Sequence, residues 1–467
     1  MNRGWLVLGV ALSLLHGCGN EAGRLVGSPA SDLPLPEGID VAFNHLEGRS
    51  YNSPIHAEAR NGDNLEALVI DAIEGAEQEV LVAVQELSLP SIAAALVRQH
   101  RKGLRVKVVL ENTYSTPWSE QHDADLDGHA RQRRHLLMEL ADQNQDGVVS
   151  PEEQHAGDAV ALLNAGGVSW LDDTADGSKG SGLMHSKYVV VDRRVVVTGS
   201  ANFTASGMHG DAADRRTRGN VNHLLRLESP ALAEHFAEDF SRMWGDGPGG
   251  QPDSRFGLAK HSGPATRVLV GETPVDLLFA PHRRSDTNHG LNLISNALAA
   301  AEHRVDMALF VFSAQAITDV IADLQSKGVQ LRLLADPGFA SRPFSEVLDL
   351  LGVAISDRHC KLEAGNQPLQ HAAEGVGSPR LARGDKLHHK FAVIDNRTVI
   401  TGSFNWSPSA AHQNDEVLIV IHSPLVAAHF TREMVRLWKG AELGINPRLQ
   451  RKLWDNRTRC GSGVTRD

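Results

Sequence analysis

The sequence predicts an α/β protein of two homologous halves, each an α/β/α sandwich around a mixed sheet, related by a pseudo-twofold axis. Three observations carry that expectation. The stretch MHSKYVVVDRRVVVTGSANFT (184–204) returns as LHHKFAVIDNRTVITGSFNWS (387–407). Upstream, EVLVAVQELSLPSIAAALVRQHRKGLRVKVVLE (79–111) parallels RVDMALFVFSAQAITDVIADLQSKGVQLRLLAD (304–336). Each begins with an apolar run of strand length, continues as an amphipathic helix, stops at Lys-Gly and resumes as a β-rich run. Downstream, HLLRLES and EVLIVIHS read as strands, each followed by a helix ending in Trp244 or Trp438.

The chain has 467 residues, more than one ordinary core needs and suited to two or three domains. At 41% hydrophobic and 22% charged it has the composition of a folded soluble protein. A formal net charge of -11 argues against loose electrostatic binding to nucleic acid or anionic lipid, but leaves room for a local phosphate site.

Residues 1–17 read as an export signal. Arg3 precedes an apolar run from Trp5 to Leu15, too short to span a bilayer. Leu15-His16-Gly17-Cys18 resembles a bacterial lipoprotein cleavage box, which would make Cys18 the lipidated residue and 18–38 a tether. The expected location is therefore outside the cytoplasm, as a membrane-anchored lipoprotein or a secreted protein. The first domain, 39–247, opens on the strand IDVAF (39–43); VDLLF (275–279) is its counterpart in the second, 268–440. Between them WGDGPGGQPDS (244–254) is rich in Gly and Pro and marks a linker at 248–267. A tail follows at 441–467. Cys360 and Cys460 would pair in an oxidising compartment and tie that tail to the body.

Both long repeats read H-x-K-x4-D-x6-G-S-x-N: His185, Lys187, Asp192, Gly199, Ser200 and Asn202, then His388, Lys390, Asp395, Gly402, Ser403 and Asn405. Side chains two apart on a strand share a face, so His185 projects with Lys187, and Ser200 with Asn202 across a hairpin. Asp192 and Asp395 fall out of phase and read as turn and network residues. A His, Lys, Ser and Asn on one face suit an anionic oxygen cluster. Lys supplies charge, Ser and Asn supply directed donors, and His is a nucleophile or proton carrier near neutral pH.

The paired motifs resemble those of the phospholipase D superfamily, from about residue 39 to 440. The resemblance implies that the two copies meet at one active site. One histidine attacks phosphorus to give a phosphohistidine; the other protonates the leaving alcohol and then activates water. It assigns His185 as nucleophile and His388 as acid/base, with Lys187, Lys390, Asn202 and Asn405 on the equatorial oxygens, and needs no cofactor for the chemistry. Glu416, eleven residues after Asn405, matches the family acid that orients a histidine. The first half carries Asn222 at that place, so His185 is expected to lack its carboxylate unless Asp211 or Asp214 substitutes.

One measure breaks the symmetry: Gly103 to His185 is 82 positions and Gly328 to His388 is 60. The excess predicts an insertion at about 113–180, and within it DQNQDGVVSPEE (142–153) follows the EF-hand calcium pattern. Asp142, Asn144, Asp146, Ser150 and Glu153 supply side-chain oxygens, Val148 its carbonyl, and Gly147 the sharp turn. Calcium there is expected to be structural or regulatory. DADLDG (123–128) begins a similar loop but has Arg134 at its twelfth place and is incomplete.

Taken together, the sequence leads to a monomeric, exported phosphodiesterase acting on phospholipid head groups to release phosphatidic acid. The alternatives are an exported endonuclease using the same site, with nucleic acid as substrate, and a non-catalytic calcium-dependent surface-binding protein.

Overall fold

The computed structural model describes residues 33–178 and 182–461, and no helix among them is long and apolar enough to cross a membrane. The export signal and Cys18 lie outside the described residues. Two mixed sheets organise the described chain. The first has seven strands, in the order Ile39–Phe43, His223–Glu228, Val195–Gly199, Lys187–Val191, Glu79–Val84, Arg105–Leu110, Ser169–Asp172. The second has nine and repeats that order: Thr273–Ala280, Glu416–His422, Thr398–Gly402, Lys390–Ile394, Arg304–Leu309, Gln330–Ala335, Val376–Ser378, with Thr266–Val270 and Glu442–Leu443 added at the edges. The strands joined through a helix are parallel, Val80 opposite Val106 and Val305 opposite Leu331. The motif hairpins are antiparallel, Val189 opposite Val197 and Val393 opposite Val399.

The hairpin strands are apolar throughout because both of their faces are covered. Helices Leu65–Glu74, Pro90–Arg101 and Ala159–Gly166 cover the outer face of the first sheet. Gly290–Ala299 and Gln315–Ser326 do so for the second. The inner faces carry Pro230–Trp244 and Pro424–Trp438. Both helices start on a serine, Ser229 or Ser423, whose hydroxyl accepts a first-turn N–H, with proline at the next position. A single core runs through both inner layers. Its aromatic packing comes in pseudo-symmetric pairs: Phe43 meets Phe430 at 5.2 Å between ring centroids, and Phe279 meets Phe236 at the same 5.2 Å.

Three boundaries differ from the sequence reading. The linker at 248–267 is not a free connection, since Gly257–Lys260 forms a turn that buries Lys260, and the edge strand starts at Thr266. The tail at 441–467 is part of the body: Glu442–Leu443 pairs with Gly377 and Ser378, and helix Pro447–Cys460 follows. Cys460 is bonded to Cys360, with Cα atoms 5.5 Å apart. The insertion is shorter than 113–180, because Ala159–Gly166 and Ser169–Asp172 are a layer helix and a sheet strand. Burial of their apolar faces against the common core, invisible in residue spacing, is what makes them part of the fold.

Candidate active site

Each motif starts where one half touches the other. Met184 forms a short parallel bridge with Asp415, and Leu387 forms one with Val221. The His185 N–H then donates to the Asp415 carbonyl at 2.9 Å, and the His388 N–H to the Val221 carbonyl at 3.0 Å. This crossing places each histidine beside the orienting residue of the other half. His185 Nδ1 lies 2.8 Å from Glu416 Oε2, and His388 Nδ1 lies 2.9 Å from Asn222 Oδ1.

The expectation that His185 lacks a carboxylate is therefore overturned. Pairing within a half, assumed from the sequence, is replaced by pairing across the interface, so Glu416 serves His185 and Asn222 serves His388. Neither Asp211 nor Asp214 substitutes: Asp214 holds Arg216, and the Asp211 backbone meets Thr217 and His56. The motif serines reinforce both pairs, Ser403 donating to Glu416 at 2.6 Å and Ser200 to Asn222 at 2.8 Å. Asn222 Nδ2 donates to the Gly207 carbonyl, which fixes Oδ1 as the atom facing His388. With an oxygen acceptor on each Nδ1, the proton of each neutral imidazole sits there and Nε2 keeps its lone pair.

The remaining motif residues are placed as their spacing suggests. Asp192 accepts from the backbone N–H groups of Glu77, Gln78 and Glu79, and Asp395 from those of Glu302, His303 and Arg304. Partial burial pushes both carboxyls up, but these bonds overrule it and hold them below the usual carboxylate range. They fasten the hairpin turn to the next strand and touch no reacting group. The motif glycines permit close approach: a Cβ on Gly199 would lie 2.4 Å from the His223 carbonyl oxygen, and one on Gly402 2.2 Å from that of Val417.

Lys187 and Lys390 are fully buried side by side with the histidines. Lys187 Nζ donates to the His185 carbonyl at 2.5 Å and Lys390 Nζ to that of His388 at 2.7 Å. Burial lowers Lys187 to about 7 and moves Lys390 well below its ordinary value, with Lys187 adding to the effect on Lys390. Burial likewise lowers His185 to about 4, against the pull of Glu416. It moves His388 well down too, with Lys390, Lys187 and His185 contributing. Two lysines and two histidines depressing one another make a cavity whose electrostatics call for an anion. A phosphate diester bound there restores the charge on the lysines.

Four groups were missed from the sequence. Gln85 and Phe310 end the equivalent strand segments and differ in kind. Gln85 accepts from Lys187 Nζ and Asn202 Nδ2, whereas Phe310 stacks 4.6 Å from His388 and holds Lys390 Nζ 4.9 Å from its ring. The mismatch between QELS and FVFS in the aligned repeats was the available signal. Lys260, from the linker, pairs with Asp239 at 2.8 Å and Asp415 at 2.9 Å directly behind Glu416. Glu433, on the same turn of its helix as Asp239, is instead neutralised by His389 at 3.0 Å and Arg436 at 2.6 Å. No local pattern marks either cluster.

The candidate calcium loop has the right donor set but spends it on its own backbone. Asp142 accepts from Gly147, Asn144 from Asp146, Asp146 from Val148, and Glu153 from Gln143 and Ser150. Ser150 and Glu153 form a capping box on the helix Pro151–Gly157. Asp142 Oδ1 is left buried without a partner, the one feature that favours a cation. Among the described residues no three acidic, imidazole or thiol side chains converge as a metal cluster. The upstream DADLDG is an N-cap: Asp127 caps the helix Gly128–Ala141, and Asp123 pairs with Arg134.

Comparison with known proteins agrees with this arrangement. A family profile described as "Cardiolipin synthase, PLD-like domain" matches residues 69–244 and 294–438, one segment in each half. The chain is 29% identical over 154 residues to a mitochondrial cardiolipin hydrolase of Chlamydomonas reinhardtii, covering 33% of this chain and 60% of that protein's length. It is 27% identical over 206 residues to the Danio rerio protein of the same name, covering 42% and 82%. A phospholipase D of Rickettsia bellii is 29% identical over 134 residues, covering 29% and 56%. Among solved structures, the phosphatidylserine synthase of Haemophilus influenzae superposes with a TM-score of 0.51 at 12% identity, over 90% of this chain and 95% of that one. That likeness supports the duplicated fold.

Proposed function

The chain belongs to the phospholipase D-like family, and from that premise we propose that it is a phosphodiesterase hydrolysing the head-group diester of phospholipids. The observation that carries the reading is the crossed pairing, His185 with Glu416 and His388 with Asn222, which assembles one anion site from two H-x-K motifs. Its matched relatives named for cardiolipin hydrolysis and phospholipase D activity favour a lipid substrate.

In this mechanism His185 Nε2 attacks phosphorus while the bond to the leaving oxygen breaks. His388 Nε2–H gives that oxygen its proton. Water, deprotonated by His388, then attacks the phosphohistidine and frees His185. Lys187, Lys390, Asn202 and Asn405 hold the equatorial oxygens. The two orienting groups divide the roles. The Glu416 carboxylate stabilises the positive charge that a phosphorylated imidazole acquires. Asn222, a neutral acceptor, leaves protonated His388 a stronger acid. Protonation of His388 accompanies binding of the substrate's negative charge.

A single chain supplies both motifs, so the enzyme acts as a monomer. An export signal with lipidation at Cys18 would hold it at a membrane surface beside its substrate. Calcium bound at Asp142 to Glu153 would draw the loop's oxygens together and stabilise the insertion without entering the chemistry. The deciding assay compares phosphatidylcholine, cardiolipin and single-stranded DNA with one preparation. Release of phosphatidic acid that is lost in His185→Ala supports the proposal; rapid DNA cleavage with no lipid product replaces it with the nuclease reading.

A further inference from the structure

The wall beyond His388 is built unlike the wall beyond His185. From His388 an aromatic ladder runs outward: Phe310 faces Phe339 at 4.6 Å, and Phe339 faces Phe344 at 6.4 Å, where Phe344 is 38% exposed. Beside the ladder is a cavity of about 500 Å³ whose lining includes Phe339, Arg342, Arg383, Lys386 and Arg448. Among the described residues these four cations form no ion pair with a carboxylate. The cavity also holds Asp336 and Asp385, but both are committed to backbone. Asp336 accepts from Gly338, Phe339 and Leu387, and Asp385 from Arg218 and Gly219. Burial raises Asp385 to about 7, so little negative charge opposes the cations near neutral pH.

A second cavity of about 210 Å³ adjoins the first, sharing Pro337, Leu381 and Arg448 with it. Its lining turns apolar, with Val347, Leu351 and Leu449. Leu443 and Ile445, 46% and 39% exposed, alternate with its lining residues Gly444 and Asn446. On the His185 side none of this recurs. Gln85 stands where Phe310 does, Glu86 is paired with Arg133, and Arg133 lies over Tyr114.

In-line displacement puts the leaving oxygen opposite the attacking His185, on the His388 side. We infer that this wall is a subsite for a leaving alcohol that carries its own phosphate, held among Arg342, Arg383, Lys386 and Arg448, with an acyl chain in the apolar groove beyond. The substrate class it selects is a phospholipid with two phosphodiesters joined through one small alcohol. A polynucleotide also carries a phosphate on its leaving group, but it has nothing to place in an apolar groove. The inference rests on the phosphodiesterase reading and deepens it.

The test uses the full chain and the triple variant Arg383→Ala/Lys386→Ala/Arg448→Ala. The readout is the ratio of kcat/KM for cardiolipin to that for phosphatidylcholine in the same mixed micelles. Removing three charge-assisted donors to a phosphate should lower that ratio roughly ten- to a hundredfold. Leu351→Arg, which puts a charge in the groove, should lower it further for tetra-acyl than for short-chain cardiolipin. An unchanged ratio overturns the subsite. A loss confined to a single-stranded oligonucleotide overturns the lipid assignment and gives the wall to nucleic acid. If the wild-type protein hydrolyses none of these substrates, the phosphodiesterase reading fails by itself. The subsite is then judged by sedimentation with phosphatidylcholine vesicles doped with cardiolipin. Binding weakened in the triple variant supports it, and binding unchanged or absent in both proteins overturns it.

Discussion

The two halves share a backbone plan and differ at each position that faces the reacting centre. His185 leans on a carboxylate and His388 on an amide; Lys187 touches Gln85 and Lys390 touches Phe310. The buried acids behind them are equally mismatched, Asp239 with Lys260 and Glu433 with His389 and Arg436. Duplication supplies two imidazoles on opposite sides of one phosphorus. The divergence then gives them different jobs, because a nucleophile needs its positive product stabilised and an acid needs its positive form left unstable. The crossing matters as much as the divergence: each half furnishes the residue that tunes the other's histidine, so neither half holds a complete site.

The largest way to break the comparison is to remove each histidine in turn. His185→Ala and His388→Ala should each lose at least about 10²–10⁴-fold in rate. They should differ with a diester whose leaving group needs no proton, such as bis(p-nitrophenyl) phosphate. His388→Ala should give a burst of p-nitrophenol and retain phosphate on His185, and His185→Ala should give neither. Phosphate trapped on His388 in the wild type would reverse the roles.

Exchanging the orienting residues sharpens the same contrast. Glu416→Gln removes the countercharge of His185 and should cost about 10²–10⁴-fold in kcat, the order found when a buried acid orienting a catalytic histidine becomes an amide. Asn222→Asp adds a negative charge beside His388 and raises its pKa. His388 must be protonated to act as acid, so the alkaline limb of kcat should move upward by about one to three pH units. A limb that stays in place would remove Asn222 from the division of roles.

Behind the site, Lys260→Met leaves Asp239 and Asp415 buried together without their cation. The expected cost is about 3–5 kcal/mol of stability, read by urea denaturation. A cost near zero would mean that the linker contributes only connection.

Acid should weaken the fold through the same buried groups. His185 is lowered to about 4 from 6.5, so between those values the unfolded chain binds a proton that the native one refuses. Stability should accordingly fall as pH drops from 6.5 towards 4, and His185→Gln should flatten that part of a melting-temperature profile. The smallest effect expected is that of calcium. Millimolar calcium should raise the melting temperature by a few degrees, and Glu153→Gln should abolish the rise without changing the rate. No heat of binding in a calorimetric titration would leave the loop as a capped turn.

How much of this was legible depends on the distance over which each feature is encoded. The duplication, the alternation of strand and helix, the Ser-Pro helix starts and the hairpin turns at Asp192 and Asp395 follow from neighbours in sequence. Periodicity, caps and turn chemistry act within a few residues, and those elements are where the sequence placed them. The family and its catalytic set were legible for the same reason, since each H-x-K-x4-D-x6-G-S-x-N motif is one continuous hairpin. Tertiary structure alone decided that His185 meets Glu416 and His388 meets Asn222, 231 and 166 residues apart in the chain. It also decided that linker Lys260 neutralises the acids behind the site, that 441–460 belongs to the body, and that scattered Arg342, Arg383, Lys386 and Arg448 face one cavity. Such pairings depend on how two finished sheets bury a common apolar face. That burial free energy is non-directional and leaves no local pattern from which the partners could be read.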